Sequence, residues 1–225
     1  VYTVDLLGCG RSDKSSITYT NFVYVQMISD FIKKIIGQKT DVIASGFSGS
    51  FVTMACHNEK ELFNKIMLVN PPSLAQLKQM PNRKDRLLKV ALEIPIFGTL
   101  IYHMIVSRDN VNNLFIEKMY YNPFHVDNQM ADAYYEAAHK GGFYTRFLYS
   151  SLAAKYININ ICHALKALDN SIYIVEGETE PNGKAVTDDY CASNPAVEVS
   201  VLKETKHLPH VEAPEAFLEQ VKIFF

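Results

Sequence analysis

Residues 41–51 read DVIASGFSGSF, a short apolar strand that runs directly into a turn of glycine and serine. Residues 51–58 then have the composition of a helix. A strand, a tight turn and a helix in immediate succession are typical of α/β proteins, in which helices connect parallel strands. The turn, residues 46–50, is therefore expected at the carboxyl edge of a sheet, where the ligand sites of open α/β sheets collect.

The rest of the chain extends this pattern in both directions. Short β-rich apolar runs predict further buried strands at 1–6, 65–70, 171–176 and 196–202. Apolar residues at helical spacing predict a helix from Tyr19 to Gly37, and Pro214 opens a last helix. The sequence therefore predicts an α/β fold with a mostly parallel sheet and helices on both faces.

The strand pattern disappears between Ser73 and Asp169, where aromatic and methionine residues recur at helical spacing. We interpret residues 73–169 as a helical cap inserted into an α/β core formed by residues 1–72 and 170–225. Because the chain opens directly on the apolar run at Val1, we also expect that strands preceding it are missing.

Composition excludes several function classes. Lysine and arginine number 22, aspartate and glutamate 24, and the net charge of −2 gives no basic field for nucleic acid. The longest apolar stretch, residues 94–106, is too short to span a membrane. Four widely spaced cysteines without a CxxC pair predict no metal site and a reducing, cytoplasmic location. No complete phosphate-binding glycine motif is present, so no cofactor is expected, and the oligomeric state stays open.

The candidate nucleophile is Ser48, in the centre of Gly46-Phe47-Ser48-Gly49-Ser50. A sharp strand-to-helix turn strains the residue at its apex and exposes that side chain, and its neighbours two positions away must be small. The helix that begins there also directs its first N–H groups at a developing oxyanion. A Gly/Ser turn that is merely flexible is the purely structural alternative.

The candidate base is His207, which lies between the last strand and the last helix, at the sheet's carboxyl edge. His210, three residues later, is its local competitor. The remaining histidines lie within predicted helices, where a structural role is more common; they are His57, His103, His125, His139 and His163.

The imidazole of a catalytic histidine needs an acceptor that fixes its tautomer. The loop after the strand at 171–176 is acidic, and Glu180 is our choice, with Glu176, Glu178 and Asp188 as alternatives. The chain order Ser, Glu, His differs from the orders of chymotrypsin and subtilisin. A solvated acidic loop is the structural alternative.

Together these segments resemble the α/β-hydrolase family, in particular capped serine hydrolases of the esterase and lipase type. VYTVDLLGCGRSDKSS is similar to the family's D-x-x-G-x-G-x-S strand and loop, and DVIASGFSGSFVTMAC to its nucleophile elbow. IYIVEGETEP is similar to the acid strand, and KHLPHVEAPEAFLEQV to the histidine loop and last helix. The resemblance implies Ser48 as nucleophile, His207 as base and Glu180 as acid.

The resemblance further implies that the N–H of Gly49 is one oxyanion donor, and that the other lies upstream of Val1. The chain departs from the family pattern at Ser50, where the family prefers glycine, and in using glutamate as the acid. Asn70 stands where some relatives carry the acid, and an amide cannot serve as one.

The expected function is hydrolysis of a carboxylic ester or related acyl substrate through an acyl-enzyme. A small hydrophobic acyl group would lie under the cap, and the residues expected to contact it are Phe47, Phe97, Tyr102, Met104 and Phe143. The cap residues Phe115, Met119 and Tyr120 are further candidates. A non-catalytic ligand-binding protein, an acyltransferase and a C–C bond hydrolase with the same triad are the alternatives.

Overall fold

The computed structural model describes every residue from Val1 to Phe225. Its sheet has four parallel strands in the order β1-β2-β3-β4. The strands are Thr40–Ser45 (β1), Phe63–Val69 (β2), Ile172–Gly177 (β3) and Val197–Leu202 (β4). Each begins and ends within two residues of a strand predicted from the sequence.

Helices connect these strands. The α-helices are Asn21–Phe31 (α1), Phe47–Asn58 (α2), Leu74–Leu77 (α3), Arg83–Glu93 (α4), Phe97–Ile105 (α5), Arg108–Leu114 (α6), Asn128–His139 (α7), Thr145–Ala153 (α8), Cys162–Ala167 (α9), Gly183–Ser193 (α10), Pro209–Glu212 (α11) and Pro214–Phe224 (α12). Short 3-10 turns occupy Lys60–Leu62, Pro123–His125 and Gly142–Tyr144, and π-helical turns occupy Ile32–Ile36 and Phe115–Met119. The whole segment between β2 and β3 is free of strands, as predicted.

The strand predicted at 1–6 does not form. These residues have no regular secondary structure, and Val1, Tyr2 and Val4 are exposed. A strand needs a neighbour that accepts and donates its backbone hydrogen bonds, and β1, the strand at the sheet's edge, pairs only with β2. The end of the segment is instead held by the loop that follows it: the Arg11 N–H donates to Asp5 Oδ2 at 2.9 Å, and the Ser12 hydroxyl donates to the Asp5 carbonyl at 2.6 Å.

The chain divides into two compact units. One consists of Val1–Tyr24, Gln79–Glu117 and Val126–Asn158, and we call it the helical unit. The other consists of Val25–Lys78, Lys118–His125 and Ile159–Phe225, and we call it the sheet unit. This division differs from the expected one chiefly at residues 1–24, which pack in the helical unit, where the Tyr19 N–H donates to Ser151 Oγ at 3.0 Å.

The sheet unit is stabilised by apolar packing on both β2 and β3. Met67 and Val175 are fully buried, and they pack with Leu202 of β4 and Phe217 of α12 in one cluster. Helix α2 is buried along most of its length, because it follows β1 directly and lies against the sheet. This packing holds the carboxyl ends of the strands in fixed positions, and the candidate site is built at those ends.

No single helix is long and apolar enough to cross a membrane. Only α4 and α5 taken together pass on length and composition, and they are bent by 99° relative to each other.

Candidate functional site

The bend between β1 and α2 consists of a single residue, Gly46. Its backbone has φ 57° and ψ −132°, a conformation that glycine adopts freely and residues with a Cβ rarely do. The Gly46 N–H donates to the Val69 carbonyl at 2.9 Å, so the end of β2 holds the bend in place. A Cβ added at Gly46 would meet no atom within 4 Å. The backbone conformation, rather than lack of space, therefore favours glycine here.

The expectation that Ser48 occupies this bend is wrong in position. Strand β1 ends at Ser45 and α2 begins at Phe47, so Ser48 lies in the first turn of the helix with an ordinary φ. Its hydroxyl donates to the Ser45 carbonyl at 2.7 Å. The sequence motif puts the bend at Ser48, two residues after its true position. The error arises because a glycine at position 46 is compatible both with being the bend and with being the small neighbour of a strained serine at position 48. A catalytic role for Ser48 stays a prediction.

The Gly49 N–H, which was predicted to bind the oxyanion, already has a hydrogen-bond acceptor in the protein. Gly49 N–H donates to the Gly46 carbonyl at 3.1 Å, which closes the first turn of α2. By contrast, the N–H groups of Phe47 and Ser48 have no acceptor, and no side chain caps this end of the helix. The N–H that directly follows the bend, that of Phe47, is the better candidate for an oxyanion donor.

His207 and Glu180 lie side by side. His207 Nδ1 is 3.1 Å from Glu180 Oε1 and 3.2 Å from Oε2. This hydrogen bond raises the pKa of His207, while burial of the ring acts in the opposite direction. His210 has no such partner: its Nδ1 is buried without a hydrogen bond, and burial lowers its pKa. Of the two histidines, only His207 is therefore paired with an acid.

The other acidic residues of the loop have different positions. Glu178 Oε2 accepts a hydrogen bond from the Glu204 N–H at 2.9 Å. Glu176 is almost completely buried, and it is one of the residues around the site's cavity. Neither forms a hydrogen bond with His207. Among the acids proposed from the sequence, Glu180 is the one that contacts the imidazole.

Two side chains hold the backbone around His207: the buried Asn70 and the half-buried Glu212. Asn70, just past β2, donates from Nδ2 to the Lys206 and His207 carbonyls at 2.8 and 2.9 Å, and its Oδ1 accepts from the Gly177 N–H at 3.0 Å. Glu212 accepts from the Lys206 N–H at 2.7 Å. Asn70 thus links the ends of β2 and β3 to the histidine loop. From the sequence, Asn70 was expected only to stand where some relatives carry the acid, and its place directly after a buried strand was the one signal for this anchoring role.

A cavity of about 590 Å³ lies in the sheet unit beside these groups. His207, Glu180, Gly46 and Phe47 line it, and Ser48 does not. Phe47, one of the predicted substrate contacts, is thus at the site. The remaining wall is a mixture of apolar and polar residues: Asn70, Pro71, Pro72, Ser73, Gln76, Glu176, Pro181, Asn182, Gly183, Ala185, Val186, Thr187 and Asp189.

The other predicted substrate contacts belong to the helical unit. Phe97, Met104 and Phe143 are exposed there. Tyr102 is buried, donates to the Ala138 carbonyl at 2.7 Å and lines a separate cavity of about 250 Å³ within that unit. Their contact with a substrate stays a prediction.

No group of three or more histidine, cysteine or acidic side chains is arranged to hold a metal ion. All four cysteines are free thiols. At the cavity, the imidazole of His207 and the carboxylate of Glu180 lie beside the N-terminal end of α2.

A family model described as the alpha/beta hydrolase family matches residues 1–220. No curated protein matches the chain.

Solved structures share the fold at low identity. A carboxylesterase of Nitrososphaera gargenis is 16% identical with a TM-score of 0.69, over 98% of this chain and 77% of that one. The 2-hydroxy-6-oxo-6-phenylhexa-2,4-dienoate hydrolase of Rhodococcus sp. strain RHA1 is 16% identical with a TM-score of 0.73, over 98% and 78%. The epoxide hydrolase CorEH is 15% identical with a TM-score of 0.76, over 98% and 80%.

Proposed function

Because this chain belongs to the alpha/beta hydrolase family, we propose that it hydrolyses a carboxylic ester or related acyl substrate, with His207 as the general base. One observation carries the proposal: the Glu180 carboxylate lies 3.1 Å from His207 Nδ1 at the wall of a cavity. A carboxylate on Nδ1 selects the tautomer in which Nε2 is the proton acceptor, and it stabilises the imidazolium that forms. A small apolar acyl group and a cytoplasmic location belong to the same proposal.

The nucleophile in this proposal is water. The bend at Gly46 faces the cavity, but glycine has no side chain with which to attack. The Ser48 hydroxyl is engaged with the Ser45 carbonyl, and Ser48 does not line the cavity. A water molecule in the space beside Gly46 and His207 has both a base and room to approach a carbonyl carbon.

The reaction then takes two steps. In the first, the water oxygen bonds to the carbonyl carbon while His207 Nε2 takes a proton from that water. The oxyanion of the tetrahedral intermediate is stabilised by the Phe47 N–H. In the second, the bond to the leaving oxygen breaks as the imidazolium returns the proton to it. The products are a carboxylic acid and an alcohol, and Glu180 stays ionised throughout.

The route through Ser48 is the alternative. It requires the Ser48 hydroxyl to leave the Ser45 carbonyl and transfer its proton to His207, and it forms an acyl-enzyme. The two routes differ in what accumulates: the serine route leaves a covalent intermediate, and the water route leaves none.

Rapid-mixing kinetics with p-nitrophenyl butyrate separates the routes, with Ser48→Ala as the matched variant. We expect steady nitrophenol release without an initial burst, no labelling of the wild type by a fluorophosphonate, and activity in Ser48→Ala within about twofold of wild type. A stoichiometric burst, together with a label that Ser48→Ala abolishes, would establish the acyl-enzyme route instead.

A ligand-binding protein without catalysis is the second candidate function, and the missing side chain at Gly46 favours it. It predicts no turnover of any acyl substrate, although ligands still bind in the cavity. Acyl transfer and C–C bond cleavage use the same base and differ in the acceptor or in the bond broken. The three similar structures are named as a carboxylesterase, a dienoate hydrolase and an epoxide hydrolase, so they do not indicate which of these reactions this chain catalyses.

A further inference from the structure

The cavity contains a buried carboxyl group that the proposed mechanism does not use. Glu176, on β3, is only 5% exposed and lines the same cavity as His207. Its Oε2 has no hydrogen-bond partner in the protein. A buried carboxyl oxygen without a partner costs free energy, and because Glu176 lines the cavity, a ligand bound there can supply the partner.

The sequence makes specific room for this carboxyl group. A Cβ added to Gly183, the first residue of α10, would lie 1.6 Å from Glu176 Oε1 and 2.6 Å from its Cδ. Any larger residue at position 183 would displace the carboxyl group. Because Gly183 has no Cβ, the carboxyl group has room against the start of α10, beside the cavity.

The surroundings of Glu176 contain negative charge and no cation. Three carboxylates line the cavity, those of Glu176, Glu180 and Asp189, and no lysine or arginine does. The positive charge that His207 can carry is adjacent to Glu180. Burial raises the pKa of Glu176, and the charges of Glu180 and Asp188 act in the same direction, while the Thr187 hydroxyl partly offsets them.

We propose that Glu176 binds an ammonium group of the substrate, which makes the substrate an acyl compound that carries a primary amine. The inference rests on the proposed function in taking this cavity as the substrate site. An ammonium N–H donates to Oε2, satisfies its missing hydrogen bond and neutralises its charge. Anionic acyl compounds are repelled by the same three carboxylates.

The test measures binding without turnover. Hexylammonium, hexanol and hexanoate share one apolar chain and differ in the charge of the end group, and calorimetry gives the affinity of each. We expect hexylammonium to bind at least about tenfold more tightly than hexanol, and hexanoate to bind more weakly than either. Glu176→Gln should reduce the affinity for hexylammonium to that for hexanol.

Glu178→Gln is the matched control, because Glu178 is the neighbouring acid and does not line the cavity. It should leave the preference for hexylammonium unchanged. Equal affinities for hexylammonium and hexanol in the wild type would overturn the inference, and this comparison stands even if Glu176→Gln does not fold. An unchanged preference in folded Glu176→Gln would overturn it as well.

The outcome is separable from that of the proposed function. Ester hydrolysis is measured on the same preparation. Selective ammonium binding without any hydrolysis would reject the hydrolase proposal and keep the role of Glu176 as a ligand-binding residue. Hydrolysis without a preference for hexylammonium would keep the hydrolase proposal and reject the ammonium-binding role of Glu176.

Discussion

Gly46 leaves the bend between β1 and α2 without a side chain, although an added Cβ would meet nothing within 4 Å. The substitution Gly46→Ser should therefore place a hydroxyl at the cavity that contains His207. The serine must adopt the φ of 57°, which we expect to lower the free energy of unfolding by about 1–3 kcal/mol. The variant should nevertheless become labelled by a fluorophosphonate, whereas the wild type is not.

Gly46→Ser combined with His207→Ala serves as the control, because it retains the new hydroxyl and removes the base. Labelling should disappear in the double variant. A folded Gly46→Ser protein that remains unlabelled would show that the bend does not direct a side chain at the base.

His207 makes the site sensitive to pH. Its pKa is raised because Glu180 accepts a hydrogen bond from the ring, and a general base acts in its unprotonated form. Activity should therefore rise with pH with a midpoint above the ordinary histidine value of about 6.5. Glu180→Gln should move this midpoint to lower pH and reduce the limiting rate, as kcat/KM measured from about pH 5 to about pH 9 will show.

The same raised pKa affects stability. The folded protein binds the His207 proton more tightly than the unfolded chain does, and this difference stabilises the folded state. The stabilisation is complete below about pH 6.5 and is lost as the pH rises through the pKa of His207 in the folded protein. A midpoint of activity that is unchanged in Glu180→Gln would contradict the assignment of Glu180 as the partner of His207.

At the scale of elements, Asn70 connects β2, β3 and the loop before α11. Its Nδ2 donates to two carbonyls, those of Lys206 and His207. Asn70→Asp replaces this donor with a carboxylate oxygen of the same size, which faces both carbonyls. We expect the free energy of unfolding to fall by about 2–3 kcal/mol, measured by urea denaturation.

Because Asn70 acts by positioning His207, Asn70→Asp should also lower kcat more than it changes KM. Asn113→Asp, on the exposed surface of α6, makes the same chemical change and should alter neither quantity. If Asn70→Asp has the same free energy of unfolding as the wild type, Asn70 does not anchor the histidine loop.

At the scale of the whole molecule, the fold was predictable and part of the site was not. The α/β-hydrolase fold and its four strands are confirmed, because buried parallel strands are short β-rich runs bounded by turn residues. The places of Glu180 and His207 at strand ends made them candidates, and the resemblance to the family selected them from the alternatives. The position of the bend at Gly46 was not predictable, because it depends on where β1 ends. The motif is compatible with a bend either at Gly46 or at Ser48.

Two other features depend on tertiary neighbours. Residues 1–6 have the composition of a strand, but no strand pairs with the outer edge of β1, and composition does not report this. Glu176 is buried with its Oε1 against Gly183 and its Oε2 without a hydrogen-bond partner, an arrangement that no local pattern indicates. The tendency of a segment to form a strand is a local property, whereas its pairing partner and the strain of its backbone depend on the assembled fold.

The size of the cavity limits the substrate. The cavity of about 590 Å³ beside His207 can hold a short or medium acyl chain. Across p-nitrophenyl esters of increasing chain length, kcat/KM should reach a maximum at an intermediate length and then decline. Equal activity at all lengths would show that the acyl chain does not enter the cavity.

The role of His207 as the general base is tested most directly by the hydrolysis rate of His207→Ala beside that of His210→Ala. Both variants remove an imidazole from the same loop, but only His207 is paired with an acid. We expect kcat/KM to fall by about 10²–10⁴-fold in His207→Ala and to change by less than about threefold in His210→Ala. Wild-type activity in a folded His207→Ala protein would contradict the account.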